Sequence, residues 1–367
     1  MDEAMKQFEI VGKGLRLVLE GNVLAVLSET PLTTLSSAIH NGGGLKKTKV
    51  IVNTQVTDEY GDRNLHDDPE AFIAQSYRKL GLAESFVGMI TYAMIEDLAV
   101  VSKSSGDLAV SVVATAGCTH AESAGEEIAL QPIEGTINIM VIIDGNCCES
   151  CLVSCLITAT EAKTAALREL DLRSRYSGDE ATGTLTDAMV VAETGKGSPI
   201  VYAGPASKLG QLVGYCTRKA VKEAVMKARI GGFVPSRPIK DRLKERHLSV
   251  EKIASEMAKV KSLGADENAI VTALSVMIGD KPIFAALLLA AAKLNEDFER
   301  GLVAPQLREL DELGKKFGEI LIKRTPEGSK LLGADVGAGE LAAVDLPPFL
   351  RQVLVGMVKY ALAKRET

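Results

Sequence analysis

The sequence predicts an α+β fold: layered mixed and antiparallel sheets covered by helices, followed by an all-α C-terminal subdomain. Three observations predict it. Residues 8–28 alternate apolar and polar side chains with glycine at the breaks, the pattern of antiparallel hairpins. Strand-helix-strand units occupy the middle of the chain, so hairpins and helices are mixed rather than strictly alternating. From Gly231 onward, strand-like runs give way to helical periodicity. The expected organisation is an α+β domain over residues 1–230, a linker over 231–247 and a helical domain over 248–367.

Taken in order, "FEIVGKGLRLVLEGNVLAVLS" supplies two or three strands, and "NGGGLKK" (41–47) reads as a loop before a strand at "KVIVNTQV". "DDPEAFIAQSYRKLGL" carries an Asp cap, a first-turn Pro and a Gly stop, which together mark a helix. "VGMITYA" is a further strand. "DLAVVSKSSGDLAVSVVATAG" is a strand pair turning at Ser-Gly. "TINIMVIID" is a buried strand, "ESCLVSCLITATEAKTAALREL" a helix, "DAMVVAET" another strand, and 205–229 another helix. "GGFVPSRPIKDRLKER" mixes Gly, Pro and charge and reads as the linker. Helical periodicity resumes over 249–300 and 347–364.

Composition excludes several functions. Tryptophan is absent and aromatics are 4% of residues, too few for a base-stacking surface. The formal charge of -6 offers no basic footprint, so no nucleic-acid partner is expected. The run from Ile283 is interrupted by Lys293, too short to span a bilayer, so no membrane role is expected. The N-terminal residues lack the apolar core of an export signal, which points to the cytoplasm and to reduced thiols.

Cys147, Cys148, Cys151 and Cys155 crowd one stretch. Cys148-x-x-Cys151 has the spacing of a metal knuckle, but no second CxxC or paired histidines accompany it. Cys148, Leu152, Cys155, Leu156 and Ala159 share one helical stripe, where cysteine serves as a small apolar residue. The reading is therefore structural, with no metal. Lys163 falls on the same stripe. It either snorkels past small alanines to water, which periodicity alone favours, or lies buried against a carboxylate. Glu161, two residues away, points to another face. The turn "ATGTLTDAM" gathers Thr182, Gly183, Thr184, Thr186 and Asp187 before a strand, a set of hydroxyls and one carboxylate able to hold a carbonyl or an ammonium.

In this order, "EGTINIMVIIDG", "ITATEAKTAALRELDL" and "ATGTLTDAMVVA", with "NGGG", "VIVNTQV", "VGMITYA" and "ATAGCTHAES" upstream, resemble the adenosylcobinamide amidohydrolase family over about residues 15–228. The resemblance implies hydrolysis of adenosylcobinamide to adenosylcobyric acid and aminopropanol in corrinoid salvage. It implies a small-molecule corrinoid substrate and no cofactor of the protein's own, because the cobalt arrives with the substrate. The motif residues fall on Asn53, Thr91, Gly135, Thr136, Asn138, Glu161, Lys163, Thr182, Gly183, Thr184, Thr186 and Asp187. The C-terminal helices and the four cysteines lie outside the family pattern.

Roles follow from chemistry. Amide hydrolysis needs a nucleophile, a proton donor for the leaving amine and donors for the oxyanion. No G-x-S-x-G elbow or H-E-x-x-H is present. Thr136, Glu161, Lys163 and Asp187 are the catalytic candidates. Asn53, Thr91, Asn138, Thr182, Gly183, Thr184 and Thr186 are candidates for binding substrate. In one scheme Glu161 or Asp187 activates water and Lys163 steadies the oxyanion. In another, by a looser likeness to enzymes that cut their own chain before Ser or Thr, Thr136 becomes an N-terminal nucleophile. A third reading of Thr136 is an ordinary strand residue. Two further functions stay open: a corrinoid- or amide-binding module without turnover, and a thiol-ligated metal protein. Alanine-rich helices in the tail leave homo-oligomerisation open as well.

Overall fold

The computed structural model describes residues 5–56, 68–118, 121–127, 135–228, 239–280, 282–303, 307–322 and 336–363. The contacts divide the chain into two compact units, Met1–Ser236 and Arg237–Thr367.

The first unit is built on a curled, mixed, nine-stranded sheet. Its hairpins form where alternation predicts them: β1 (Lys6–Phe8), β2 (Leu15–Glu20) and β3 (Val23–Ser36) are antiparallel. β4 (Gly43–Gln55) returns along β3, helix α1 (Pro69–Arg78) crosses over, and β5 (Phe86–Thr91) lies parallel to β4. The Asp68 carboxylate caps α1 by accepting from Ala71 N at 2.9 Å, as the Asp-Pro pair foretells. The glycine run read as a loop is instead the start of β4, because Gly43 pairs with Ser36 of β3. A local glycine signal loses here to a ladder formed with a distant strand.

β6 (Ala99–Ser105) and β7 (Leu108–Gly117) make the second hairpin, turning at Gly106, whose φ of 60° suits glycine. β8 (Ala121–Glu122) follows, then β9 (Thr136–Asp144) and β10 (Asn146–Cys147). Helix α2 (Glu149–Glu169) leads to β11 (Gly183–Thr184), β12 (Ala188–Glu193) and β13 (Pro199–Ile200), and α3 (Lys208–Lys227) completes the unit. β12 is parallel to β9, so β9, α2 and β12 form the anticipated strand-helix-strand unit.

Period-two alternation sorts β9 into two faces. Ile137, Ile139, Val141 and Ile143 pack with α2 and α3. Met140 and Ile142 pack with Leu24, Ile51, Met89 and Val190 inside the curl. A third cluster, with Val50, Val52, Phe72 and Ile73, seats α1 on the outer side of β3 and β4.

The second unit is helical: α4 (Ile239–Glu245), α5 (Val250–Ala258), α6 (Glu267–Asp280), α7 (Pro282–Glu299), α8 (Leu307–Ile322), α9 (Ala338–Ala342) and α10 (Pro348–Ala363). Its core gathers Ile253, Met257, Leu274, Leu288, Leu350 and Leu354. Residues 239–245, expected as linker, are helix α4, and α8 and α9 are added helices between the predicted stretches. In α8 and α10, Gly318 and Gly356 meet so closely that a Cβ on Gly356 would overlap the Gly318 backbone.

Candidate active site

The polar residues singled out by sequence divide between the two faces of β9 and the ends of its neighbours. On the helix face, α2 buries Lys163 among Ala159, Ala162 and Ala166, leaving it 9% exposed. Small neighbours let the ammonium reach the sheet instead of water. There it meets the Asp187 carboxylate in an ion pair. Of the two readings of Lys163, burial against a carboxylate is the one observed.

Asp187 stands in the turn before β12 and organises its surroundings. Its Oδ1 accepts from Ile137 N at 2.9 Å and from the Thr184 hydroxyl. Its Oδ2 accepts from Thr184 N at 3.2 Å and from Lys163 Nζ. An ionised carboxylate offers about four acceptor sites, so Asp187 is fully engaged. It ties β9, the turn and α2 together, and it positions Lys163 rather than standing ready as a base. The lysine, with three donors, keeps two for a ligand. Gly183 permits this approach: a Cβ there would lie 2.5 Å from Asp187 Oδ2 and 2.8 Å from Lys163 Nζ. Thr182 braces the other side of the turn, its hydroxyl accepting from Ala124 N at 2.9 Å.

At the head of β9, the Thr136 and Thr186 hydroxyls are 2.6 Å apart, and Thr186 donates to the Gly135 carbonyl at 2.9 Å. Among the described residues, the hydrogen-bond partner of the Thr136 hydroxyl is this second hydroxyl, not a base.

Inside the curl, Asn53 donates to Thr115 Oγ1 at 2.9 Å, and Asn138 donates to Asn53 Oδ1 and to Ile90 O, both at 2.7 Å. Asn138 also accepts from Ala188 N, and Thr91 accepts from Ala93 N. Asn53, Thr91 and Asn138 are fully or almost fully buried. Their polar groups are taken up by one another and by the backbone. They close the curl by joining β4 and β5 to β7 and β9.

Glu161 is not brought to this centre. Two residues along a helix turn the side chain by about 200°. Glu161 is exposed on the far side of α2, where it lines a groove of about 660 Å³ between α2 and α3 with Thr158, Glu169, Tyr215 and Arg218. The scheme in which Glu161 activates water beside Lys163 does not fit this geometry.

Two residues that motif reading passed over stand where the Asp187 charge acts on them. Cys118 ends β7. Burial, and next the Asp187 charge, push its thiol up, with Lys163 opposing. Glu122 lies across the β8–β11 ladder from Gly183. The only sequence signal for it was its place in "ATAGCTHAES", of which Thr119 and His120 lie outside the described residues.

The cysteine cluster sits at the start of α2. Cys147, Cys151 and Cys155 are buried in the core, while Cys148 caps the helix and is partly exposed. Burial pushes the Cys151 thiol up to about 12. The Cys147 thiol is raised as well, first by its contact with Cys155 and then by burial. The Cys148 thiol runs the other way, lowered first by its hydrogen bond with Ser150. Among the described residues, no group of three or more His, Cys, Asp or Glu is disposed to hold a metal ion.

A family model described as adenosylcobinamide amidohydrolase matches residues 5–230. The chain belongs to the adenosylcobinamide amidohydrolase family. A protein of Methanosarcina mazei named adenosylcobinamide amidohydrolase is 32% identical over 197 residues, covering 52% of this chain and 86% of that protein. An uncharacterized protein of Methanocaldococcus jannaschii is 30% identical over 205 residues, covering 50% of this chain and 79% of its own. A crystal structure of a Pyrococcus horikoshii protein overlaps at a TM-score of 0.30 with 12% identity, over 61% of this chain and 82% of that one. That degree of overlap carries no weight here. The amidohydrolase match ends at the first unit and leaves the helical unit outside it. Among the described residues, no helix is long and apolar enough to cross a membrane.

Proposed function

We propose that this family member hydrolyses the side-chain amide of adenosylcobinamide, giving adenosylcobyric acid and aminopropanol as a step of corrinoid salvage. The cobalt belongs to the substrate, and the protein supplies no cofactor. Family membership supports the amidohydrolase class. The observation that carries the reading to a site is the Lys163–Asp187 pair, an ammonium buried by α2 and fixed by a carboxylate with no acceptor to spare.

In this reading, water attacks the amide carbon, and the developing oxyanion is met by the two free donors of Lys163. A preoriented cation in a site of low water content stabilises such charge far more than it would in bulk solvent. Asp187 keeps Lys163 aimed. The exposed Thr186 hydroxyl at the head of β9 offers a neutral hydrogen bond to the polar rim of the substrate, with Thr136 buried behind it. The chain acts uncut.

The test is direct. Purified protein mixed with adenosylcobinamide should release free aminopropanol and a corrinoid bearing one new carboxylate, both visible by mass spectrometry. Corrinoid that binds and is recovered unchanged would make the chain a binding module and defeat the proposal. In the same sample, intact mass should give one species near 39.0 kDa. Two fragments meeting at Gly135–Thr136 would replace the water mechanism with a threonine nucleophile.

A further inference from the structure

Asp187 has no free acceptor and Glu161 faces away, so the hydrolytic centre lacks a group to move the proton of the attacking water. We infer that Glu122 is that group: it takes the proton from water as the C–O bond forms and delivers it to the departing amine as the C–N bond breaks. The inference rests on the amidohydrolase reading above and deepens it.

Three features of the fold support this assignment. The first is direction. Residues paired across an antiparallel ladder project from the same face, with Cβ atoms about 5 Å apart. Glu122 pairs with Gly183, and the face on which Gly183 would carry a Cβ looks onto Asp187 Oδ2 and Lys163 Nζ. Glu122 therefore leaves β8 on the side of the ladder where the missing Cβ of Gly183 lets the ion pair approach.

The second is availability. Glu122 Oε1 is buried and has no hydrogen-bond partner among the described residues. A buried carboxylate oxygen without a donor is costly, and such groups are kept where chemistry uses them.

The third is contrast with its neighbour. Glu126, four residues on, accepts from Ser123 N and from the Ser174 hydroxyl, each at 2.7 Å. Burial works against its charge, but hydrogen bonds from Ser177, Ser123 and Ser174 together hold the Glu126 carboxyl below the usual range. Glu122 lacks such bonds. Burial first, then the charges of Glu126 and Asp187, raise its carboxyl. Two carboxyls whose surroundings push them apart are the usual arrangement for dividing fixed charge from proton transfer. The charged groups that act on Glu122 are Glu126 from the turn after β8 and Asp187 from the turn before β12, and Asp187 in turn holds Lys163 from α2 and acts on the Cys118 thiol.

The balance closes on amide and water alone. The water oxygen bonds to the carbonyl carbon, one of its protons passes by Glu122 to the amide nitrogen as the C–N bond breaks, and the second leaves the new carboxylic acid for the freed amine, so the products are a carboxylate and an ammonium. Glu122 ends as it began.

The experiment uses the full-length chain with adenosylcobinamide, comparing wild type, Glu122→Gln and Glu122→Asp. Glu122→Gln should lower kcat by about 10²–10⁴-fold with KM within about threefold. Glu122→Asp should recover part of that loss. The acidic limb of the wild-type kcat/KM profile should vanish from the residual activity of the Gln variant, a change that a scaffold residue would not produce. Unchanged far-UV circular dichroism and melting temperature exclude unfolding as the cause. Active wild type with Glu122→Gln within about threefold of it overturns the inference and spares the amidohydrolase reading. So does a Gln variant that keeps the acidic limb. Wild type that releases no amine overturns both.

Discussion

The two faces of β9 carry polar groups of opposite kinds. On the helix face, charge is concentrated: Lys163 and Asp187 pair beside Gly183, and Glu122 stands across the β8–β11 ladder from that glycine. On the inner face, Asn53, Thr115 and Asn138 form a neutral network with its donors and acceptors matched. A buried ion pair with unused donors is costly to keep and useful to a reaction. A saturated amide network does little chemistry but fixes which strands meet. One strand thus separates the work of holding the curl closed from the work of acting on a ligand.

Substitutions on the two faces should separate in the same way. Of Lys163→Ala, Asn138→Leu and Glu161→Gln, the largest effect is expected from Lys163→Ala. It removes the oxyanion partner and frees one Asp187 oxygen, so turnover should fall by about 10²–10³-fold in steady-state assays while circular dichroism stays near wild type. Wild-type turnover in that variant would leave the helix face without a catalytic role. Asn138→Leu should act on stability instead. It strands Asn53 Oδ1, Ile90 O and Ala188 N, at a cost of about 1–3 kcal/mol for a buried group left unsatisfied. Denaturant unfolding of the first unit should report that loss, while activity per folded molecule stays within about tenfold. A large activity loss without a stability change would move the inner face into the substrate site. The smallest effect belongs to Glu161→Gln, which changes an exposed side chain across the helix from Lys163. Turnover within about twofold is expected, and a loss of orders of magnitude would place the chemistry in the α2–α3 groove.

Much of the fold was legible because short-range patterns carry it. The hairpins β1 to β3 and β6 to β7, the cap of α1, and the β9–α2–β12 unit all follow from alternation, caps and turns. Errors fell where distant partners decide. The glycines at the start of β4 read as loop until β3 pairs with them. Helix α8 lies between the two stretches that helical periodicity marks, 249–300 and 347–364, and was not drawn from it. Within the site, spacing already separated Lys163 from Glu161, but spacing could not say which of the two faced inward. Glu122 was hidden because β8 and β11 are two-residue strands, too short to leave a periodic signature.

By itself the sequence determined the α+β class, the helical tail, the family, and the placement of Lys163 on an apolar stripe. These depend on residue order within a few turns or a few strand positions. The tertiary structure alone decided that Asp187 fixes Lys163, that Asn53 meets Asn138, and that Glu122 faces the same pair. Those partners stand 24, 85 and about 40–65 residues apart in the chain. Only the register of long-range ladders and the seating of α2 on the sheet bring them within reach, and no local pattern encodes a register set by a strand elsewhere.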